Sequence, residues 1–296
     1  MKVTRATLPF LPLCQRLWPS TLAGLSVTLL KATALEFAIL AGHLLLYPSG
    51  IIQERRIVPA PRSPDATPAP LPTEAKPPVV LLHGFIDNRS VFVLLRRSLT
   101  QHGRREIESL NYSPLTRDIR TAAEVLGRHI EEICERTGHE RVDIVGHSLG
   151  GLIARYYVQR LEGDARVRTL VTLGTPHAGT RVAPLANAHP IVRQMRPGSA
   201  VLEELHEPAP GCRTHFVAFW SDLDHIMDPL EAACVDHPDL IADNVRVSGI
   251  GHLALPVHPA VASGIRQALD LDDSNPKTAR RANGETGPHA GDLTVA

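Results

Sequence analysis

The sequence predicts an α/β protein: a mostly parallel central sheet with helices on both faces. Three observations carry that expectation. Between about residues 78 and 270, short apolar runs alternate with segments of helical periodicity. The runs are apolar throughout rather than at every second position, as in strands covered on both faces. A Gly-x-Ser-x-Gly turn stands where one such run gives way to a helix. That is the place where parallel sheets present functional groups, outside the carboxyl ends of their strands.

Each element has its own signal. Val79–Leu82 is a short apolar run and reads as a buried strand. Val91–Leu99 reads as a helix, and Ile107–Leu110 as the next strand. Ile119, Ala122, Ala123, Leu126, Ile130 and Ile133 recur at helical spacing, and Gly138 closes that helix. Val142–Val145 is a strand followed by a helix over Leu149–Leu161. Val167–Leu173 and His215–Trp220 are strands, Val245–Ile250 is the last strand and Val261–Leu269 the last helix. Strands separated by helices imply right-handed crossovers and a parallel sheet.

The flanks differ in composition. Residues 1–57 form a basic and then apolar segment. Lys2, Arg5 and Arg16 come first, and Leu22 to Tyr47 is mostly apolar. About 20 such residues suit a membrane span, although Lys31 and Glu36 inside it each cost roughly 2.5–3.5 kcal/mol at mid-bilayer. An uncleaved signal-anchor is the first expectation. A cleaved signal peptide and a helix packed on the domain are the alternatives. Arg55 and Arg56 after the run leave the orientation open, with the domain expected at the cell envelope or outside the cell. Residues 58–77 are a proline-rich linker, residues 78–270 the globular domain, and residues 271–296 a polar tail expected to be disordered. Basic and acidic residues balance at 31 each, so no charge excess points to nucleic acid. Four cysteines, Cys14, Cys134, Cys212 and Cys234, form no Cys-x-x-Cys pair. A Cys212–Cys234 disulfide and two small buried thiols are both open readings.

The chemistry concentrates at "VDIVGHSLGGLIARYY". The spacing Gly146-His147-Ser148-Leu149-Gly150 between a strand and a helix is that of a nucleophile elbow. Its alternative, a glycine-rich turn with a bystander serine, is weakened by the strand before it and the helix after it. A phosphate loop would need a lysine that is not there. A serine nucleophile requires a histidine base and an acid to orient it, in the chain order Ser, Asp, His on this architecture. After the strand "THFVAFW", Asp222, Asp224 and Asp228 are all candidates, with Asp224 favoured because a loop can turn it inward. After the last strand, His252 holds the position of the base, and His258 is the fallback. The backbone N–H groups of Leu149 and of Phe85, in "VVLLHGF", are the candidate oxyanion donors, with His83 orienting that loop.

The chain resembles the bacterial lipases and esterases of the α/β-hydrolase superfamily. It is most similar to the actinobacterial-type triacylglycerol lipase group. The resemblance covers residues 78–270 and rests on "VVLLHGF", "VDIVGHSLGGLIARYY", "VTLGTPHAGT", "FWSDLDHIMDP" and "VSGIGHLALP", in that order. It implies Ser148 as nucleophile, Asp224 as acid, His252 as base and Phe85 and Leu149 as oxyanion donors. It also implies Thr175 and His177 in the pocket wall and a small lid or cap insertion over residues 178–211, with an ordinary surface helix pair as the alternative for that segment. The apolar N-terminal run separately suits work at a membrane surface, by a domain expected to be monomeric. The implied reaction is hydrolysis of an ester or lipid through an acyl-enzyme. It needs no metal or organic cofactor. Acyl transfer and thioester hydrolysis would use the same triad, and a non-catalytic membrane-anchored binding protein is the alternative from a different class.

Overall fold

The computed structural model of the 296-residue chain describes residues 27–51, 76–85, 87–112, 118–181, 189–270 and 291–294. In chain order the main elements are α1 (Val27–Ile51), β1 (Val79–Leu82), α2 (Val93–Gln101), β2 (Ile107–Leu110), α3 (Ile119–Thr137) and β3 (Val142–His147). There follow α4 (Leu149–Arg160), β4 (Val167–Leu173), α5 (Pro190–Gln194), α6 (Ala200–His206), β5 (His215–Ser221), β6 (Ile241–Ser248), α7 (Pro259–Leu269) and β7 (Gly291–Thr294). The strands form one sheet in the order β2-β1-β3-β4-β5-β6-β7, and every pairing is parallel.

Alternate residues of each strand face opposite sides, and the core divides accordingly. Val80, Leu82, Ile144, Leu170 and Phe216 pack with Leu126 and Ile130 of α3 and Leu152 and Ile153 of α4. Val79, Leu81, Val145, Val171, Val217 and Phe219 pack on the other side with Leu95 and Leu99 of α2 and Ile265 and Leu269 of α7. Both faces are covered, which is why the strands read as continuous apolar runs. α3 starts at Asp118, whose side chain accepts from Arg120 N, and ends at Gly138 with φ 74°. Only glycine takes that left-handed position without strain.

Some expected boundaries move. The last long strand starts at Ile241 rather than Val245, because Asp243 and Asn244 interrupt the apolar run without interrupting the pairing. Their side chains are used: Asp243 meets His215 at 2.8 Å, and Asn244 bonds Val235 through both N–H and C=O. Gly291–Thr294 lies in the segment expected to be a disordered tail, yet its backbone pairs with Val245–Ser248. An open sheet edge offers unpaired N–H and C=O groups to any extended segment that reaches it. Residues 271–290 and the linker 58–75 lie outside the described residues. Cys134, Cys212 and Cys234 are free thiols, so the open question of a Cys212–Cys234 disulfide resolves to two separate side chains.

α1 lies along the domain. Ala32, Glu36, Ile39, His43, Tyr47 and Gly50 are its covered or half-covered positions, spaced three or four apart on one stripe. Near its end, Asn88 Nδ2 donates to Tyr47 O at 2.8 Å and Asn111 Nδ2 to Gly50 O at 2.7 Å. The opposite side is bare and, apart from the exposed Lys31, mostly apolar: Leu45 is 82% exposed, Phe37 68%, Leu44 67% and Leu30 56%.

At the amino end of the sheet, Asp143 is fully buried between two arginines. Arg104 Nη1 reaches it at 2.7 Å, and Arg168 Nη2 and Nε at 2.8 and 3.0 Å. Replacing Asp143 by Ala removes the buried charge that both guanidinium groups share and leaves them with Leu269 O and, for Arg104, Pro77 O and the half-exposed Asp270. A loss of about 3–5 kcal/mol is expected, to be read from urea unfolding of the wild type and the variant.

Candidate active site

The site forms where β3 turns into α4. Ser148 has φ 52° and ψ −120°, a strained left-handed conformation for a residue with a side chain. The turn is this tight because α4 must pack directly against β1 and β3. A Cβ on Gly146 would stand 2.6 Å from Gly151 N, and one on Gly150 would stand 2.4 Å from Leu82 O. Neither contact can be relieved by a side-chain rotation, since both partners are backbone. Ser148 N donates to Leu173 O at 2.9 Å, and Thr175 Oγ1 donates to Ser148 O at 3.0 Å. The serine is half-buried, at the carboxyl edge of the sheet.

Two later loops bring the other expected groups together. Asp224, past the end of β5, is fully buried, and its Oδ2 accepts from His252 Nδ1 at 2.7 Å. Its Oδ1 accepts from Ile226 N at 2.9 Å, which fixes the carboxylate plane. Gly174, just after β4, makes the space for this pair. A Cβ there would come within 2.9 Å of both Asp224 Oδ2 and His252 Nδ1. The other two aspartates are placed elsewhere. Asp222 accepts from Arg246 Nη2 at 3.1 Å and from Gly249 N at 3.2 Å, while the Asp228 side chain points to solvent. His258 caps the start of α7 through Ala260 N.

Electrostatically, burial alone would lower the His252 pKa. The Asp224 carboxylate outweighs it, with Asp87 and Glu36 adding to the same side, so the pKa is raised. Burial alone would raise the Asp224 pKa, and the His252 charge and hydrogen bond pull it below the usual carboxylate value instead.

Leu149 opens α4, where the first N–H groups of a helix have no intrahelical acceptor. Phe85 follows Gly84 in the loop after β1. Gly84 sits close to Ser148: a Cβ on it would stand 3.4 Å from Ser148 Cβ. That loop is braced from below. Tyr112 stacks on His83 with ring centroids 4.2 Å apart, and its hydroxyl donates to His83 O and Gly84 O. His83 Nδ1 donates to Gly84 O at 2.8 Å.

Further groups around the site have no signal in the residue pattern. His147, beside the serine, has its ring 4.8 Å from that of His252, and its Nε2 lies 3.3 Å from His252 O. Asp87 Oδ2 lies 3.3 Å from His147 Nδ1. Asp87, Tyr112 and Gly174 belong to loops whose convergence no local spacing encodes. Only His147, as the variable residue of the Gly-x-Ser-x-Gly turn, stood in view. Thr175 and His177 were expected in the pocket wall, but His177 is buried away from it. It lies within 2.9 Å of Thr172 Oγ1 and holds Arg155 through its carbonyl at 3.1 Å. In the segment 178–211, α5 and α6 carry Ile191, Val192, Val201, Leu202 and Leu205 into the core, and Glu204 ties α6 to Arg120 and Tyr156. Residues 182–188 lie outside the described residues.

The sequence profile of the palmitoyl protein thioesterase family matches residues 78–231, just over half of the chain. The chain belongs to that family. Within this palmitoyl protein thioesterase match lie the elbow, Asp224 and both loops proposed to supply oxyanion donors. Among curated proteins, the chain is 29% identical over 129 residues to a triacylglycerol lipase of Burkholderia plantarii, covering 41% of this chain and 35% of that protein. It is 29% identical over 114 residues to a triacylglycerol lipase of Pseudarthrobacter phenanthrenivorans, covering 36% and 35%. The chain thus spans about a third of the length of the curated relatives it matches. The mature form of Bacillus licheniformis lipase BlEst2 superposes with TM-score 0.57 at 17% identity, covering 69% of this chain and 96% of that one. Aspergillus fumigatus lipase B superposes with TM-score 0.58 at 16% identity, covering 68% and 54%. The fold is that of the α/β-hydrolases.

The Asp224–His252 pair makes a signed prediction. A base with a raised pKa is protonated at higher pH, so kcat/KM for ester hydrolysis should fall as pH drops through a value above the ordinary imidazole range of about 6.5. Asp224→Asn removes the charge that holds the pKa up and the acceptor that sets the tautomer. Turnover should fall about 10⁴-fold, with the residual acid limb displaced to lower pH. A pH–rate profile of both proteins on a p-nitrophenyl ester checks it.

Proposed function

We propose that the chain is a serine hydrolase that cleaves carboxylic esters, with lipid esters as its substrate class. The observation that carries this reading is the buried Asp224–His252 hydrogen bond, at the same carboxyl edge of the sheet as the strained Ser148. In this reading His252 takes the Ser148 proton as the oxygen attacks the acyl carbon. Asp224 holds the imidazole with Nε2 free and stabilises the cation that forms. The N–H groups of Phe85 and Leu149 hold the tetrahedral oxyanion, each contributing about 3–4 kcal/mol. The alcohol leaves with the proton from His252, and water then attacks the acyl-enzyme with His252 as base. Every step uses groups of this chain.

A second reading, thioester hydrolysis, is favoured by the family profile over residues 78–231. The same triad serves it, because a thiolate leaves more readily than an alkoxide and demands nothing further of the acid. The test is turnover by the full chain and by Ser148→Ala on p-nitrophenyl butyrate, octanoate and palmitate and on palmitoyl-CoA. Serine-dependent ester turnover exceeding thioester turnover supports the first reading, and the reverse order supports the second. Ser148→Ala should lower both by roughly 10⁴-fold or more. Equal turnover with and without the serine hydroxyl overturns both.

α1 supports a membrane setting. Leu30–Pro48 is long and apolar enough to cross a bilayer, with mean hydropathy 1.3. Glu36 and His43 face the domain while Phe37, Leu44 and Leu45 face outward, and the exposed Lys31 stands near the start of the segment, where a long side chain reaches the interface. That arrangement is inverted for water, where apolar side chains turn inward, and fits lipid, where polar side chains turn toward protein. We place the outward face of α1 in the lipid of the cell envelope. Leu44→Ser with Leu45→Ser should weaken full-chain binding to phosphatidylcholine vesicles in flotation assays by roughly tenfold or more. Unchanged flotation would remove the membrane from the account.

A further inference from the structure

We propose that Glu36 of α1 is a positioning residue of the active site: its carboxylate fixes the backbone turn that carries His252. This rests on the reading of His252 as the catalytic base. The structure joins the two elements across more than two hundred residues of sequence. Glu36 Oε2 accepts from Leu253 N at 3.0 Å, and Oε1 accepts from Ala254 N at 2.9 Å. Both carboxylate oxygens are therefore spent on the two residues immediately after His252. Charge-assisted bonds to backbone N–H groups are stronger than neutral ones, and two from one carboxylate fix a plane as well as a distance.

A second observation concerns Gly251, on the other side of His252. A Cβ there would stand 2.6 Å from Glu36 Cδ, 2.7 Å from Cγ and 2.8 Å from Oε1. The glycine is the space the Glu36 side chain fills. The carboxylate thus packs against the residue before the base and binds the two after it. The asparagine bonds at Tyr47 and Gly50 hold the other end of α1, so Glu36 is presented by a helix anchored along its length. The working site then includes α1, and an apolar N-terminal helix stays docked in the functional protein.

Charge separates positioning from packing. The groups that face His252 are Asp224 from the loop after β5, Asp87 from the loop after β1, His147 from the end of β3 and Glu36 from α1; His43 of α1 in turn faces Asp87. Asp224, Asp87 and Glu36 raise the His252 pKa, so neutralising Glu36 lets it fall.

The experiment compares full-length wild type, Glu36→Gln, Glu36→Asp and, as a charge control at an exposed position of α3, Glu124→Gln. All are measured in the same detergent on p-nitrophenyl octanoate across pH. Glu36→Gln should lower kcat roughly tenfold, the scale of one lost charge-assisted bond, with KM within about twofold. Its acid limb should move to lower pH. Glu36→Asp should also lower kcat, by loss of reach, but keep the limb near the wild-type position. Glu124→Gln should match wild type. Wild-type kcat and limb in Glu36→Gln overturn the proposal, and so does a kcat loss with the same unmoved limb in both Glu36 variants. If Glu36→Gln does not fold, a cycle with Gly251→Ala decides: its added methyl should cost turnover beside Glu36 and almost nothing beside Glu36→Ala. Equal cost in both backgrounds overturns the proposal. Ser148→Ala in the same series keeps the two readings apart. If it retains turnover, the catalytic reading fails; if it is inactive while Glu36 is silent, only the positioning role fails.

Discussion

The constraint on which the site depends is the close approach of α4 to the centre of the sheet. α4 packs against β3 so tightly that Gly150 touches the Leu82 carbonyl and Gly146 touches the backbone of the first turn of α4. The only way to connect strand and helix at that distance is a turn with Ser148 at φ 52°. The turn lifts the serine out of the sheet, points the start of a helix at the space beside it, and leaves that space bounded by the loops after β1, β4, β5 and β6. Loosening the approach by one methyl group would move all of these together.

The two ends of the sheet contrast in how they treat buried carboxylates. At the amino end Asp143 is gripped by Arg104 and Arg168. Arginine does not give up its proton, so that cluster is inert and serves stability. At the carboxyl end Asp224 and Asp87 face histidines instead. Imidazole changes charge near neutral pH, and the Asp224 carboxylate moves that change upward in His252 rather than suppressing it. The same burial that makes the first cluster a structural tie makes the second a place where a proton can move. His147 and Asp87 extend it beyond the three residues named as catalytic and link the serine turn to the backbone of His252.

α1 complicates a simple division between anchor and catalytic domain. Its stripe of Ala32, Glu36, Ile39, His43 and Tyr47 packs on the domain, while Leu30, Phe37, Leu44 and Leu45 stand exposed on the rest of its surface together with Lys31. One helix thus joins an exposed, largely apolar face to the loop that holds His252.

The sequence by itself determined what local spacing determines. Apolar runs located β1 and β4 to the residue, the alternation of strands and helices placed β2 between them, helical periodicity and Gly138 bounded α3, and the Gly-Ser-Gly spacing located the elbow. Strand-end position singled out Asp224 and His252 as a pair, which the fold brings to 2.7 Å. These are properties of neighbouring residues, so a one-dimensional pattern carries them. β6 was misplaced at its start because Asp243 and Asn244 look like loop residues until their partners, His215 and Val235, are known. Tertiary structure alone decided the rest. Glu36 reads as a costly charge in an apolar helix until Leu253 N and Ala254 N are beside it. Asp87, Tyr112 and Gly174 are unremarkable letters whose roles exist only because loops far apart in the chain meet at one edge of the sheet. Separation in sequence and contact in space are independent there, and only packing sets the second.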